Sequence, residues 1–364
     1  MTDPYASSGV DTAAGDRAVE LMKKAVGATH GSLVLTGVGG FAGLVDAAFL
    51  KNYRHPVLAT STDGVGTKVL IAQSIDKHDS IGQDLVGMVV DDIVVCGAKS
   101  LFMTDYIACG KVEPTRIAQI VEGIAKACQE VDVALVGGET AEHPGVMQDH
   151  EYDLAGAAVG VVEKDQLLSR ERVEVGDVVI AMQSSGLHAN GYSLVRKIVS
   201  DAGLDYKSKL ADFSRPLGEE LLEPTRLYSK VVGDLLTEFP REFSSLSHIT
   251  GGGIAANLSR ILPETVSLDI DRSTWSPQPV FRVLANLAGH NLIDLEGTWN
   301  LGIGFAAVVR KASAEKIIAK STAMGIPAWQ VGVIESTACD DKGYVTEAKG
   351  VRGGAVRLVG NYAQ

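Results

Sequence analysis

Apolar and polar positions along the chain fall into two successive α/β halves. Helical spacing over residues 14–26 gives way to a glycine-dense loop, Gly37-Val38-Gly39-Gly40-Phe41-Ala42-Gly43. Strand-like runs follow at 56–62, 100–108, 133–136 and 153–162, separated by helical stretches near 80–97 and 114–129. The polar run from Glu163 to Glu174 reads as a boundary, because Gly176-Asp177 opens a new strand at 178–182 that leads into a second glycine loop and a helix. Beyond it the pattern predicts a helix near 216–239, a loop from His248 to Gly253 with its helix, strands around 266–270 and 304–309, and a helix near 314–324. The expected organisation is a first domain over 1–170, a second α/β domain over 171–345 and a tail over 346–364, where Gly, Arg and Val mix without a clear period.

Bulk properties narrow the function. With 46% apolar residues and a mean hydropathy of +0.13, the 364-residue chain is globular, so its 40 glycines belong to turns, close helix contacts and ligand loops. A net charge of −12 argues against a nucleic-acid surface and leaves anionic substrates to local devices such as metal ions, helix N-termini and single lysines. Cys96, Cys109, Cys128 and Cys339 form no CxxC pair and read as buried thiols of a cytosolic protein. The N-terminal stretch MTDPYASSGVD lacks a basic segment followed by an apolar one, and no apolar run reaches membrane-spanning length. A cytoplasmic protein without a membrane or nucleic-acid partner is expected.

The most informative stretch is Leu58 to Lys68, an apolar strand running into Asp63, Gly64, Gly66, Thr67 and Lys68. Glycines let backbone N–H groups approach phosphate oxygens. Thr67 can donate a hydrogen bond, Lys68 brings a mobile positive charge, and Asp63 can hold a hard cation such as Mg²⁺. The spacing is not that of a P-loop, since Thr precedes Lys and an acid opens the motif. A tight strand-to-helix turn without a ligand is the alternative, and the same choice holds for the loop around Gly39 and Gly40.

Four further acids and two loops join it. In the 80–97 helix, Ile81, Leu85, Met88, Val89 and Cys96 make an apolar face, and Asp92 falls inside it, four after Met88 and four before Cys96. An unpartnered carboxylate there costs several kcal/mol, on the order of 3–5, which a metal or a buried lysine would offset. Asp84 and Asp91 are expected on a partly solvated flank. Glu139 follows Gly137-Gly138 at the end of a buried run, where the glycines let the backbone turn sharply and free its carboxylate to join Asp63 and Asp92 around Mg²⁺. His143 beside Pro144 is expected to be a packed loop residue. In the second half, Ser184-Ser185-Gly186-Leu187-His188-Ala189-Asn190-Gly191 and His248-Ile249-Thr250-Gly251-Gly252-Gly253 each lead into a helix and place glycines and hydroxyls at its N-terminus, a setting for a substrate phosphate. His188 and His248 are candidate proton carriers. Asn300 is a weaker candidate that shapes a turn.

Taken in order from Tyr5 to roughly Ile334, the motifs YxxxGVD, GGFAGL, TDGVGTK, VxDDIVVxGA, DYxAxGK, LVGGETAEHPG, YDLAGAAVGVVE, SSGLHANGYSLVRK, HITGGG and NxGIG resemble those of the phosphoribosylformylglycinamidine cyclo-ligases, or AIR synthetases. The resemblance implies a two-domain α/β fold with an N-terminal sheet that pairs with its copy in a homodimer, a C-terminal α/β domain, and ATP and substrate meeting in the cleft. It implies ATP-dependent closure of formylglycinamidine ribonucleotide (FGAM) to aminoimidazole ribonucleotide (AIR), with ADP and phosphate released. It also implies Mg²⁺ on Asp63, Asp92 and Glu139, ATP near Gly39, Gly40, Gly64, Gly66, Thr67 and Lys68, and substrate near Ser185, Gly186, His188, Asn190, Thr250, Gly251 and Gly252. It further implies catalytic roles for Lys68, His188 and His248. Two departures stand out: Ala6 replaces a lysine common after the first tyrosine, and Leu187-His188-Ala189 replaces Pro-His-Ser. The competing readings are a small-molecule kinase of the same superfamily, which would pass its phosphate to product, and a nucleotide-binding regulatory subunit without turnover.

Overall fold

The computed structural model describes residues 11–337 and 343–363. Tyr5, Ala6, Gly9, Val10 and Cys339 lie outside the described residues. The chain divides into two compact units: one runs to Ile93 and resumes over Ala98–Lys164, and the other comprises Val94–Gly97 and everything from Asp165.

The first unit contains α1 (Thr12–Gly27), β1 (Pro56–Gly64), α2 (Val69–Ile75), α3 (Ile81–Val94), β2 (Lys99–Cys109), α4 (Pro114–Glu130), β3 (Ala134–Glu142) and β4 (Tyr152–Glu163). Its four strands lie in the order β1-β4-β2-β3. β4 is antiparallel to β1 and β2, whereas β3 runs parallel to β2 because α4 carries the crossover between them. The helical face of the sheet is closed by Leu85, Val89 and Ile93 of α3 and Ile117, Ile120, Val121 and Ile124 of α4, all buried. α4 starts where its periodicity predicts, with Pro114 in its first turn and the Glu113 carboxylate accepting hydrogen bonds from the N–H groups of Thr115 and Arg116.

The second unit contains β5 (Val178–Gln183), α5 (Tyr192–Asp201), α6 (Leu217–Leu221), α7 (Ser229–Glu238), β6 (Phe243–His248), α8 (Gly253–Arg260), β7 (Val266–Asp271), α9 (Pro279–Leu287), β8 (Ile303–Val309), α10 (Ala314–Ala323), β9 (Ala328–Ser336), β10 (Val345–Ala348) and β11 (Val351–Val359). Seven strands form one sheet in the order β10-β11-β7-β9-β5-β8-β6. Val179 and Ala181 of β5 and Ala306 and Val308 of β8 pack with Ile254 and Leu258 of α8, while the alternate residues Val178, Ile180, Phe305 and Ala307 pack with Val232 and Leu235 of α7 and Ile317 of α10. Two opposite cores on one sheet explain why these strands read as unbroken apolar runs.

The structure corrects three expectations. The expected 216–239 helix is two helices, α6 and α7, separated by residues 222–228, where Pro224 has no backbone N–H to donate. The expected sharp turn at Gly137-Gly138 is absent: both glycines are extended within β3, which continues to Glu142. The thiols are buried at Cys109 and Cys128, but Cys96 is half-buried. The aperiodic end of the chain builds β10 and β11, and β11 adds to the sheet parallel to β7.

Candidate active site

In the first unit, β1 ends on Asp63, whose Oδ1 accepts a hydrogen bond from the N–H of Gly64 at 2.7 Å. Gly66 then takes φ = +70°, a conformation glycine adopts without strain, and opens a short turn over Gly66–Lys68. That turn points Lys68 inward. Its side chain is 0% exposed, and Nζ donates to Oδ1 of Asp84, also 0% exposed, at 2.8 Å. The expected mobile charge is therefore one half of a buried ion pair between this turn and α3. Thr67 and Gly64 are half-buried and Gly66 is exposed. Gly39 and Gly40 lie in an exposed loop whose flanks are joined by a bridge between Val34 and Val45, with Gly39 at φ = +99°.

On α3 the acids exchange the places expected of them. Asp84 and Asp91 are fully buried, and Asp92 is the one exposed residue of the helix. α3 is apolar around nearly its whole circumference, so its apolar spacing does not fix which side faces water. Asp92 is exposed and therefore carries no burial cost. Glu139 is exposed as well, with Oε1 accepting from the N–H of Thr140 at 3.0 Å.

Register relates Asp63 and Glu139 across one sheet, while Asp92 stands on α3. Asp63 pairs with Gly156, Gly156 with Asp105, and Asp105 with Gly138, the neighbour of Glu139. Asp63 and Gly138 are thus three strand steps apart, roughly 14 Å at the usual strand spacing. Among the described residues no three His, Cys, Asp or Glu side chains are grouped to hold a metal ion. The donor chemistry still suits Mg²⁺, which takes hard oxygens and completes its shell with water and phosphate oxygens.

Asp105 was not singled out by its sequence. Its carboxylate occupies the space a side chain at position 138 would need, since a Cβ there would collide with it. Burial pushes the Asp105 carboxyl up to about 7, opposed only by the bond to its own backbone N–H. The folded protein therefore holds a proton on Asp105 where the unfolded chain has lost it. Stability owed to this group is unaffected below the ordinary value of 3.8, falls as pH rises from there to about 7, and is level above. Asp105→Asn should remove that slope and gain on the order of 4 kcal/mol relative to wild type between pH 4 and pH 8, read by urea unfolding. Parallel pH curves for the two proteins would contradict the assignment.

In the second unit, β5 and β6 are both antiparallel to β8 and flank it, so the loops that follow them leave the same edge of the sheet. They meet there: Oδ1 of Asn190 accepts from the N–H of Gly251 at 3.0 Å. His188 is 1% exposed and sits at φ = +61°, a conformation that costs a non-glycine residue about 1 kcal/mol and so marks a constrained loop. Its Nε2 accepts the N–H of Ser185 at 3.2 Å, and its ring lies 6.0 Å from that of Tyr228. His248 is 5% exposed and stacks on Phe305 at 6.3 Å. Gly304 is required by this packing, because a Cβ there would strike Tyr228 Oη and the His188 ring.

Side chains the sequence reading undervalued hold the loops. Asn300 is buried; its Nδ2 donates to the Gly186 carbonyl at 2.8 Å, and its Oδ1 accepts from the Gly302 N–H at 2.9 Å. Gln278 Nε2 donates to the Ser184 carbonyl at 2.7 Å, and the Ser185 hydroxyl donates to the Pro224 carbonyl at 2.6 Å. Asn257 of α8, missed entirely, donates through Nδ2 to the carbonyls of Thr250 at 3.1 Å and Gly253 at 2.8 Å. Tying these carbonyls back to α8 fixes the 250–253 loop at the helix N-terminus. Its only signal in sequence was an amide one turn into the helix.

Comparison with known proteins agrees with this layout. The profile of the AIR synthase related protein N-terminal domain matches residues 45–162, and that of the corresponding C-terminal domain matches 174–340. The phosphoribosylformylglycinamidine cyclo-ligase of Alkaliphilus oremlandii (strain OhILAs) is 46% identical over 336 residues, covering 92% of this chain and 97% of that protein. Among solved structures, thiamine-monophosphate kinase from Stenotrophomonas maltophilia K279a is similar with a TM-score of 0.61 at 17% identity, covering 94% and 97% of the two chains. The hydrogenase maturation protein HypE in complex with ATP gives 0.62 at 17% identity, covering 89% and 87%. Those two likenesses concern the fold. With both profiles matched in order, and a cyclo-ligase nearly half identical along almost its entire length, the chain belongs to the AIR synthase family.

Proposed function

We propose that the protein converts FGAM and ATP to AIR, ADP and phosphate. The observation that carries this reading is the 46% identity to a cyclo-ligase across 92% of the chain, spanning both units and both glycine loops. A formyl amide oxygen is a poor leaving group. Transfer of the γ-phosphoryl group to it gives an iminophosphate and ADP; the amidine nitrogen then attacks the activated carbon, the C–O bond breaks with loss of phosphate, and a proton leaves the new ring.

The first unit takes the nucleotide. Asp63, Asp92 and Glu139 would each offer a carboxylate to Mg²⁺, Asp63 and Glu139 to different ions because they stand three strand steps apart on opposite faces of the sheet, with phosphate oxygens and water filling the remaining positions, and the Gly39-Gly40 loop and the Gly64-Gly66-Thr67 turn would lie along the phosphates. Bound Mg²⁺ supplies neutralisation of charge on the transferring phosphoryl group. Lys68 acts through its pair with Asp84, which fixes the Gly66–Lys68 turn. The second unit takes the substrate: the loops carrying Ser185, Gly186, Asn190, Thr250, Gly251 and Gly252 would bring the α5 and α8 N-termini to its phosphate, with the Ser185 donors and the Gly251 N–H spent on shaping the loops. The buried rings of His188 and His248 support those loops, with Nε2 of His188 committed to the Ser185 N–H.

A homodimer belongs to the same reading. On the sheet face opposite Asp63, Leu58 is 61% exposed and Tyr106 41%, with Thr60, Thr62 and Thr104 also exposed, so this face suits pairing with a second copy. A one-chain mass in sedimentation at micromolar concentration would contradict it. Among the described residues no helix is long and apolar enough to cross a membrane. The reading places the protein in the cytoplasm, a reducing setting that suits three described thiols in no disulfide.

The test of the activity is product analysis after incubation with ATP, Mg²⁺ and FGAM. AIR and free phosphate in equal amounts support cyclisation; a phosphorylated product without free phosphate would replace it with a kinase.

A further inference from the structure

The chain continues beyond the stretch matched by the family profiles, which end at residue 340, and its last described segment packs on the far end of α8 and on Glu296, whose backbone abuts Gly253 of the 250–253 loop. At the far end of α8, the Ser259 hydroxyl donates to the Gly354 carbonyl at 2.8 Å, and the Gly354 N–H donates to the Leu262 carbonyl at 2.9 Å. The approach is close enough that a Cβ at Gly353 would strike the Ser259 carbonyl. At the near end of α8, the backbone carbonyl of Glu296 lies where a Cβ of Gly253 would be.

Glu296 is itself held by the chain terminus. Arg272 meets it with two parallel hydrogen bonds, Nε to Oε1 at 2.5 Å and Nη2 to Oε2 at 2.8 Å, and the Tyr362 hydroxyl donates to Oε1 at 2.7 Å. Arg272 Nη1 also donates to the Gly360 carbonyl at 3.0 Å. The Tyr362 ring stands edge-on to Trp275 at 5.3 Å, and the Ala363 carbonyl accepts from Arg282 Nη2 at 2.6 Å. β11 thus carries α8, and the residues after it lock the carbonyl that abuts the first residue of α8.

We propose that the C-terminal segment 351–363 is a positioning element for the 250–253 loop, with Tyr362, Glu296 and Arg272 acting through the backbone at Glu296 and Gly253. This rests on the reading of that loop as a site for the substrate phosphate. Tyr362 touches no substrate; it sets where the loop N–H groups stand. Such an element alters affinity for the molecule bound at the loop and leaves the nucleotide, handled by the other unit, unchanged.

Tyr362→Phe keeps the ring on Trp275 and removes the bond to Glu296; Tyr362→Ala removes both. The expected result for Tyr362→Phe is a roughly three- to tenfold rise in KM for FGAM, with KM for ATP within about twofold of wild type. Tyr362→Ala should raise KM for FGAM further. Amide hydrogen exchange should quicken at 251–254 in both variants and stay unchanged in β5 and β8. An unchanged KM for FGAM in both variants, or a parallel rise in both KM values, would overturn the proposal. Should wild-type protein not turn over FGAM at all, the substrate reading fails and exchange alone decides: quickening confined to 251–254 supports the positioning role, and no change there overturns it.

Discussion

Asp92→Asn is expected to lower kcat by about 10²- to 10³-fold while leaving the melting temperature unchanged. The first half follows from placing a carboxylate that would hold Mg²⁺ on the solvent side of α3. The second follows from its exposure, since neutralising a solvated carboxylate relieves no desolvation. Asp91→Asn, one residue earlier and fully buried, should reverse the profile and act mainly on stability. Wild-type kcat in Asp92→Asn would remove Asp92 from the metal set. A rise in melting temperature would show that its carboxylate is buried in solution.

Lys68→Met should destabilise the fold by roughly 3–5 kcal/mol in urea unfolding, because it removes the cation facing a fully buried carboxylate. Lys68→Met combined with Asp84→Leu should recover most of that loss, since an apolar pair of similar volume needs no charge compensation. Activity should follow the same order, low in the single variant and partly restored in the double. If the double variant folds as stably as wild type and yet shows no turnover, Lys68 reaches the nucleotide directly and its pair with Asp84 is not its working state.

The sequence made the architecture legible where one physical signal dominated. Strands buried on both faces, such as β5 and β8, appear as continuous apolar runs, and the two histidine–glycine loops could be placed at strand ends from their composition alone. Other features depend on distant partners and left no local trace. The split between α6 and α7 follows from a proline that also supplies a carbonyl to Ser185. β11 is a strand because β7 offers it an open edge, so its glycines, placed to let α8 approach, disguised it as a tail. The orientation of α3 could not be read because a helix buried nearly all round has no informative stripe. That is why Asp91 and Asp92 were interchanged and why Lys68 was expected as a mobile charge rather than paired with a buried Asp84.

The central claim is that the formyl oxygen of FGAM is activated by phosphorylation and leaves as phosphate. It is tested most directly by supplying FGAM labelled with ¹⁸O at the formyl group, with ATP and Mg²⁺, and measuring AIR together with the isotopic content of the released phosphate. The account predicts one labelled oxygen per phosphate, with AIR and phosphate formed in equal amounts. Unlabelled phosphate, or label retained in a phosphorylated product, would contradict it.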